Sequence, residues 1–270
     1  MKIDIKHKTT SAVLFSATLD NNTVKKTLEI AVKEGANLSG ASLYYANLAY
    51  ANLSGAKLTG AKLSGASLIG AKLTCADLTN ANLSGADLFG ANLTCADLTN
   101  ANLSGADLFS ANLFNANLTN ANLSSADLSG ANLFNANLTN ADFSGVDLSN
   151  ANLTNADFSG VDLSNANLTN AEFSGTNLTG AKLTGAKLTG AKLYDSIIND
   201  SDKVIETSDW IVIVSGATMR IGCKIYTHED WRNFTDEQIA KMDENALTFW
   251  RSNKETLLSA CDAQNLTERS

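Results

Sequence analysis

The chain has no proline at all, and only two histidines and four cysteines among its 270 residues. Without proline, no backbone N–H is lost to ladder pairing, which suits extended, hydrogen-bonded backbone. With two histidines, patterns of nucleophile and base or of metal ligands have little to draw on. No phosphate loop, Ser/His/Asp arrangement or nucleotide fingerprint is present either. Four cysteines in a chain of this length are not a disulfide framework. No apolar run approaches a membrane span, and Met1-Lys2-Ile3-Asp4-Ile5 does not open a secretory leader. The expectation is a cytoplasmic protein with no membrane contact, no cofactor and no metal. Basic charge is also missing from a long stretch: the 109 residues from Leu73 to Ala181 hold no Lys or Arg, and the formal net charge is −8. Direct nucleic-acid binding through that stretch is excluded on charge.

What the chain has instead is a five-residue phrase, repeated 32 times in frame from Ala36 to Asp195. It reads Ala, then Asn, Asp, Lys or Ser, then Leu, then two small or polar residues, as in Ala81-Asn82-Leu83-Ser84-Gly85. The first position departs from Ala only at Val146, Val161 and Thr176, and the third from Leu only at Phe143, Phe158 and Phe173. Such a period fits neither common element. On a helix turning ~100° per residue the Leu would spiral around the axis. A long strand needs a period of two. A very short strand followed by a turn satisfies both constraints: Ala and Leu point to one side and the residue between them to the other. The Gly and Asn at the end of the phrase tolerate the left-handed backbone of a sharp corner. One such unit cannot bury its own apolar pair, so the units must stack into a solenoid. A second interval sets the coil. Cys75 recurs at Cys95, Phe89 at Phe109 and Phe114 at Phe134, each 20 residues on. Four phrases per coil give about eight coils, roughly 38 Å at the spacing of adjacent strands. Polar disorder does not explain an apolar residue held at fixed phase.

These residues resemble the pentapeptide repeat family, whose pattern Ala-(Asp/Asn)-Leu-x-x is met almost throughout Ala36–Asp195, 160 of 270 residues. The resemblance implies an all-β solenoid, a right-handed quadrilateral β-helix with the Leu or Phe and the small residue facing inward. Three domains are expected: a cap over 1–35, the repeats over 36–200, and a small α+β domain over 201–270. In the cap, Lys2–Lys6 and Ala12–Leu19 alternate as a hairpin. Asp20-Asn21-Asn22 offers helix N-caps, Val24, Leu28, Ala31 and Val32 form an apolar helix face, and Lys25, Lys26, Glu29 and Lys33 lie outside it. Gly35 is a natural stop. At the other end, Asp209–Val214, a Ser215-Gly216 turn and Met219–Thr227 read as one hairpin. Thr227-x-x-Asp230 and Thr235-x-x-Gln238 read as capping boxes, with Phe234 and Ile239 as a staple. A helical face runs through Met242, Ala246 and Trp250, a last helix starts at Ser252, and the tail frays from Asn265. Ser196-Ile197-Ile198 is a candidate start of one more coil. The two ends also resemble those of pentapeptide proteins of phages and prophages, through a hairpin and helix before the repeats and Arg220-Ile221-Gly222-Cys223, then Trp231, after them.

Ten acids lie in the stretch without bases: Asp77, Asp87, Asp97, Asp107, Asp127, Asp142, Asp147, Asp157, Asp162 and Glu172. All occupy the outward second position. With 20-residue coils, Asp87, Asp107, Asp127 and Asp147 share one column, and lysines at 57, 62, 72, 182, 187 and 192 form collars at either end. Regularly spaced carboxylates can occupy a cationic groove that is meant for DNA phosphates. The family resemblance implies the same, since acidic solenoids of the related quinolone-resistance proteins engage the DNA-binding surface of type II topoisomerases. Topoisomerases and defence nucleases are therefore candidate protein partners. This chain departs from the resistance proteins in its uninterrupted frame, its Leu core and its globular C-terminal end. The same acids also serve solubility, and both readings stand. The ladders Phe89/Phe109 and Phe114/Phe134, with Tyr44, Tyr45 and Tyr50 near one end, are either a contact site for a partner or another copy, or a self-stacking support. Cys75 and Cys95 stack within bridging reach but are expected free in a reducing compartment. Cys223 and His228 are the one nucleophile-and-base pairing available, and a buried structural Cys is the preferred reading. The leading expectation is a non-enzymatic binding protein acting through Asp77, Asp87, Asp97, Asp107, Asp127, Asp147 and the four Phe. The alternative is a structural spacer or assembly part whose C-terminal domain holds the partner.

Overall fold

The structure, a computed structural model, describes residues 1–178, 181–193, 196–197, 203–206, 211–215, 218–221, 224–243 and 245–267. It divides into two compact units, Met1–Ile197 and Ile198–Ser270.

In the first unit, every second-position residue from Asn37 to Glu172 pairs in parallel with the residue 20 further on: Asn37 with Lys57, Asp87 with Asp107, Glu172 with Lys192. One coil is thus four pentapeptides, each contributing one bridge and one turn. The backbone N–H groups of a central pentapeptide can be followed one by one. Asp107 N donates back to Ala86 O (3.0 Å), while Leu88 N and Gly90 N donate forward to Asp107 O (2.7 Å) and Phe109 O (2.9 Å). Ala91 N closes the turn onto Leu88 O (2.9 Å). The fourth-position N–H has no backbone acceptor in this scheme. It donates to the side chain two residues earlier, as Phe89 N does to Asp87 Oδ1 (3.1 Å), an Asx turn. The fifth position lies in the left-handed region in every described phrase, from φ 52° at Tyr45 to 72° at Gly185, which explains its Gly and Asn.

Inside, the Ala and Leu columns are almost fully buried; Leu88, Leu108 and Leu128 show 0% exposure. Each such Leu contributes about 1.5–3 kcal/mol by burial. Residues 141–155 and 156–170 are identical in sequence. A 15-residue repeat on a 20-residue coil moves each copy round by one side. Phe143, Phe158 and Phe173 therefore enter the core from three different sides, with Phe143 and Phe158 tilted against each other at 5.5 Å. Thr176, the one polar intruder in the first-position column, donates its Oγ1 to Leu153 O (2.8 Å).

The expected N-terminal hairpin is β1 (Lys2–Lys6) paired antiparallel with β2 (Val13–Thr18), followed by α1 (Val24–Lys33). Three details differ from the sequence reading. The N-cap is Thr23, whose side chain accepts from Lys26 N. Asn22 is instead buried and donates Nδ2 to Ala17 O (2.9 Å). Lys25 and Glu29 do not point away: Lys25 Nζ donates to Ala49 O (2.9 Å), and Glu29 Oε1 accepts from Asn52 N (2.9 Å). The reason is that the first coil has no coil before it. Its second-position N–H groups need acceptors from the cap, as Ser42 N finds Lys6 O (2.8 Å), and its fourth-position carbonyls, such as Ala49 O, need donors. After the repeats, β3 (Lys192–Leu193) and β4 (Ser196–Ile197) pair antiparallel, so Ser196 turns back where a further coil was expected; Ile198 lies outside the described residues.

The second unit is a four-stranded antiparallel meander in the order β5 (Lys203–Glu206), β6 (Ile211–Ser215), β7 (Thr218–Ile221) and β8 (Lys224–Thr227). The hairpin read from sequence is extended here on both sides. Met219–Thr227 is two strands, and Lys203–Glu206, too short to show a pattern, adds a fourth. Asp209-Trp210 and Gly216 lie outside the described residues. Both capping boxes form, opening α2 (His228–Asn233) and α3 (Asp236–Ala240). The last helix, α4, runs unbroken over Ala246–Thr267. Ser252 does not start it; its Oγ donates to Thr248 O (3.0 Å) from within, and residues 265–267 are helical rather than frayed. Val212, Met219, Trp231, Ile239, Trp250 and Leu257 share the core of this unit, with Phe234 packed against it. Among the described residues no helix is long and apolar enough to cross a membrane.

A Leu108→Ala substitution removes a fully buried side chain from a column that cannot collapse without breaking its ladder. We expect a loss of about 2–5 kcal/mol, read as a lower midpoint in chemical denaturation.

Candidate functional site

The outward residues of the solenoid form four columns, named here by their members at Asp77, Asn82, Asp87 and Asn92. On the Asp87 side, Asp87, Asp107, Asp127 and Asp147 are joined successively by parallel bridges. Adjacent coils lie ~4.8 Å apart, so the four carboxylates span about 14 Å. The fourth-position residues of the same side include Phe89 and Phe109, with ring centroids 5.5 Å apart and planes within 14°. Phe114 and Phe134 form a second stack (5.6 Å, 12°) on the neighbouring Asn92 side, where they are half-buried. Asp77 and Asp97 pair with each other two sides away from Asp87, on the opposite flank of the coil. Of the residues singled out from sequence, the structure thus gathers Asp87, Asp107, Asp127, Asp147, Phe89 and Phe109 on one side and leaves the other four elsewhere.

Each carboxylate has a local structural duty. Asp87, Asp107, Asp127 and Asp147 accept through Oδ1 from the N–H of Phe89 (3.1 Å), Phe109 (2.9 Å), Ser129 (2.8 Å) and Ser149 (2.8 Å). Sequence reading took the second position as merely outward; the turn explains why it holds Asp or Asn. Asn performs the same duty on the Asn92 side, where Asn112 and Asn132 accept from Phe114 N (3.1 Å) and Phe134 N (3.2 Å). There the amides also bond along the column: Asn132 Nδ2 to Asn112 Oδ1 and Asn152 Nδ2 to Asn132 Oδ1, both 3.2 Å. Ionised carboxylates have no proton to donate, so the Asp87 column forgoes those bonds and sets like charges side by side.

Surroundings shift several of the acids. Burial pushes Asp77 up, but hydrogen bonds from Thr59 and Thr79 outweigh it and hold its carboxyl below the usual range. Burial likewise opposes, and Ser149, Asn167 and Lys187 overcome it, at Asp147, which also ends low. Hydrogen bonds from Ser164 lower Asp162, aided by Lys182 at 3.6 Å; those from Ser174 and Lys192 lower Glu172, with Lys192 at 3.0 Å. The far lysine collar thus pairs with the last acids and leaves the middle of the stretch negative.

Cys75 and Cys95 are both free and exposed. His228 is buried, with Nε2 2.9 Å from Thr218 O, and Cys223 lies outside the described residues. Cys261 is buried beside Met219 (3.8 Å), and burial pushes its thiol up to about 11. Among the described residues, no group of three or more His, Cys, Asp or Glu is placed to hold a metal ion.

Parallel coils of 20 residues, an apolar interior and an Asx turn in most phrases define a β-helical solenoid with a polar, patterned surface. The family model described as Pentapeptide repeats (8 copies) matches residues 36–74, 51–88, 71–108, 111–150 and 162–200. These matches span more than half of the chain, which belongs to the pentapeptide repeat family. Membership implies that the solenoid is a right-handed β-helix. Among solved structures, the chain is similar to HetL, a pentapeptide repeat protein involved in heterocyst differentiation regulation from the cyanobacterium Nostoc sp. strain PCC 7120. That likeness is 38% identical, covers 61% of this chain and 86% of HetL, and has a TM-score of 0.40. It is also similar to Rfr23 from the cyanobacterium Cyanothece 51142 (41% identity, 36% of this chain and 58% of that one, TM-score 0.27). A third is QnrB1, a plasmid-mediated fluoroquinolone resistance protein (23% identity, 53% and 70% coverage, TM-score 0.45). The comparison with curated proteins returns no match.

Asp77, Asp147, Asp162 and Glu172 all have lowered values in the folded state, so they add stability above the ordinary carboxylate range near pH 4. That stability is lost as pH falls through the lowered values, and thermal midpoints should drop below about pH 4. Within the column, Asp107→Asn is expected to raise the thermal midpoint, because it keeps the turn and removes repulsion. Asp107→Ala should lower stability by about 1 kcal/mol through the lost turn bond.

Proposed function

We propose that this protein is a non-enzymatic binding solenoid whose acidic surface competes with DNA for a DNA-acting protein. The observation that carries this reading is the choice of Asp over Asn on the Asp87 side. Both residues close the turn equally well, and Asn gains bonds along the column that Asp cannot make. Turn geometry therefore accounts for an oxygen at the second position but not for four successive charges. From Asp77 to Glu172 the ten acids fall within five coils. That is about one charge per 2.4 Å of axis, against one per ~1.7 Å in duplex DNA. A cationic groove shaped for phosphates would meet a comparable field on this surface.

A second reading is an assembly part whose partner is held by the C-terminal unit. It is supported by that unit's own apolar core. One experiment separates the two. Full-length protein is titrated against a type II topoisomerase and a DNA-cleaving nuclease, each bound to a labelled duplex. On the acidic-surface reading the duplex is displaced, and displacement weakens steeply between about 50 and 200 mM salt. The combined variant Asp87→Asn, Asp107→Asn, Asp127→Asn and Asp147→Asn stays folded and displaces nothing. Displacement by the variant equal to that of the parent would sink DNA mimicry and move the binding site to the C-terminal unit.

A further inference from the structure

The Asp87 side carries a second feature that charge does not explain. Ile69, Phe89 and Phe109 occupy its fourth position in successive coils, and despite their stacking Phe89 and Phe109 remain 48% and 41% exposed. The corners beside the two rings hold almost no side chain. Gly85, Gly90 and Gly105 leave them open, and a Cβ added at any of these would meet nothing within 4 Å. At the N-terminal end of the same side, Tyr45 and Tyr50 hold the corner positions with φ of 52° and 58°, where a bulky residue is strained. They are 82% and 71% exposed, with their rings over Gly65 and Gly70. Neither core nor turn calls for aromatics here. Ser129 and Ser149 fill the same fourth position in the next two coils with the same backbone bonds, and Gly or Asn fills most corners.

Resting on the protein-binding reading above and extending it to the partner's chemistry, we infer that the Asp87 side docks a segment of a partner protein that is both basic and apolar. Lys or Arg of that segment meets Asp87, Asp107 and Asp127, while its aliphatic or aromatic side chains cover Ile69, Phe89 and Phe109. Charge complementarity selects this occupant. A second copy of the chain, packed two-fold on the same side, would set carboxylates against carboxylates, and a nucleic acid would do the same with phosphates. An Arg on this side gains twice, from the carboxylate and from the ring beside it. Desolvated aromatics flanked by charge are also the usual anchors of protein interfaces.

The test uses the full-length protein and two synthetic helical peptides of equal length and equal Lys/Arg content. One has Leu along the opposite face and the other has Ser there. Titration calorimetry at about 150 mM salt should show the amphipathic peptide binding at least about tenfold more tightly. Phe89→Ser with Phe109→Ser should bring it down to the level of the polar peptide and leave the salt dependence unchanged. These variants copy residues already present in the column, and a thermal melt verifies that they fold. Equal affinity of the two peptides, binding of neither, or binding indifferent to the Phe substitutions overturns the inference. The DNA-competition result stands apart from these outcomes. Amphipathic binding that ignores both salt and the four Asp→Asn changes overturns the acidic-surface reading beneath it.

Discussion

Five backbone N–H groups per pentapeptide meet only four backbone acceptors, and the side chain at the second position supplies the fifth. Much of the surface follows from that shortage. An unpaired N–H at a tight corner is costly, so the position is held by the two residues whose short side chain carries an oxygen at the right reach. Because Asp and Asn serve the turn alike, the charge on the outer surface can vary while the coil stays the same. The lysines at 57, 62 and 72 occupy the second position without such an oxygen, and they lie next to the capped end. In the first coil the cap supplies acceptors to a different set of N–H groups, Lys6 O to Ser42 N and Glu29 Oε1 to Asn52 N.

Repeat length decides how this freedom is used. Where the sequence repeats every 20 residues, like residues stack, giving Asp87, Asp107 and Asp127 and the two Phe ladders, with Asp147 added to the column from the next stretch. Where it repeats every 15, over 141–170, like residues move round the coil. Phe143 and Phe158 then meet at an angle in the core, and Asp142, Asp147, Asp157 and Asp162 spread over three sides. The first arrangement makes surfaces and the second distributes bulk and charge. The acidic and aromatic side therefore belongs to the part of the chain with the commensurate repeat.

The ends were less legible than the middle. Lys25 and Glu29 look like the solvent side of an amphipathic helix, and by periodicity they are. Their function in the fold comes from the unpaired rim of the first coil, which no local pattern displays. In the second unit, Thr227/Asp230 and Thr235/Gln238 were readable because capping is local chemistry. Lys203–Glu206 was not, since a four-residue strand is defined only by pairing with β6. Ser252 shows the converse error: a cap-like pattern inside a helix that packing keeps continuous.

The amino-acid order alone determined the coil, its 20-residue circumference and the inward Leu columns, because a period of five leaves side chains only one way to sort. It also placed Asp87, Asp107, Asp127 and Asp147 in register, since coil length and residue number suffice for that. Only the folded structure decided that these carboxylates also hold the turns and that open glycine corners leave Phe89 and Phe109 uncovered. Those facts depend on hydrogen bonds and neighbours brought together across coils, and such contacts exist only once the chain has wound upon itself.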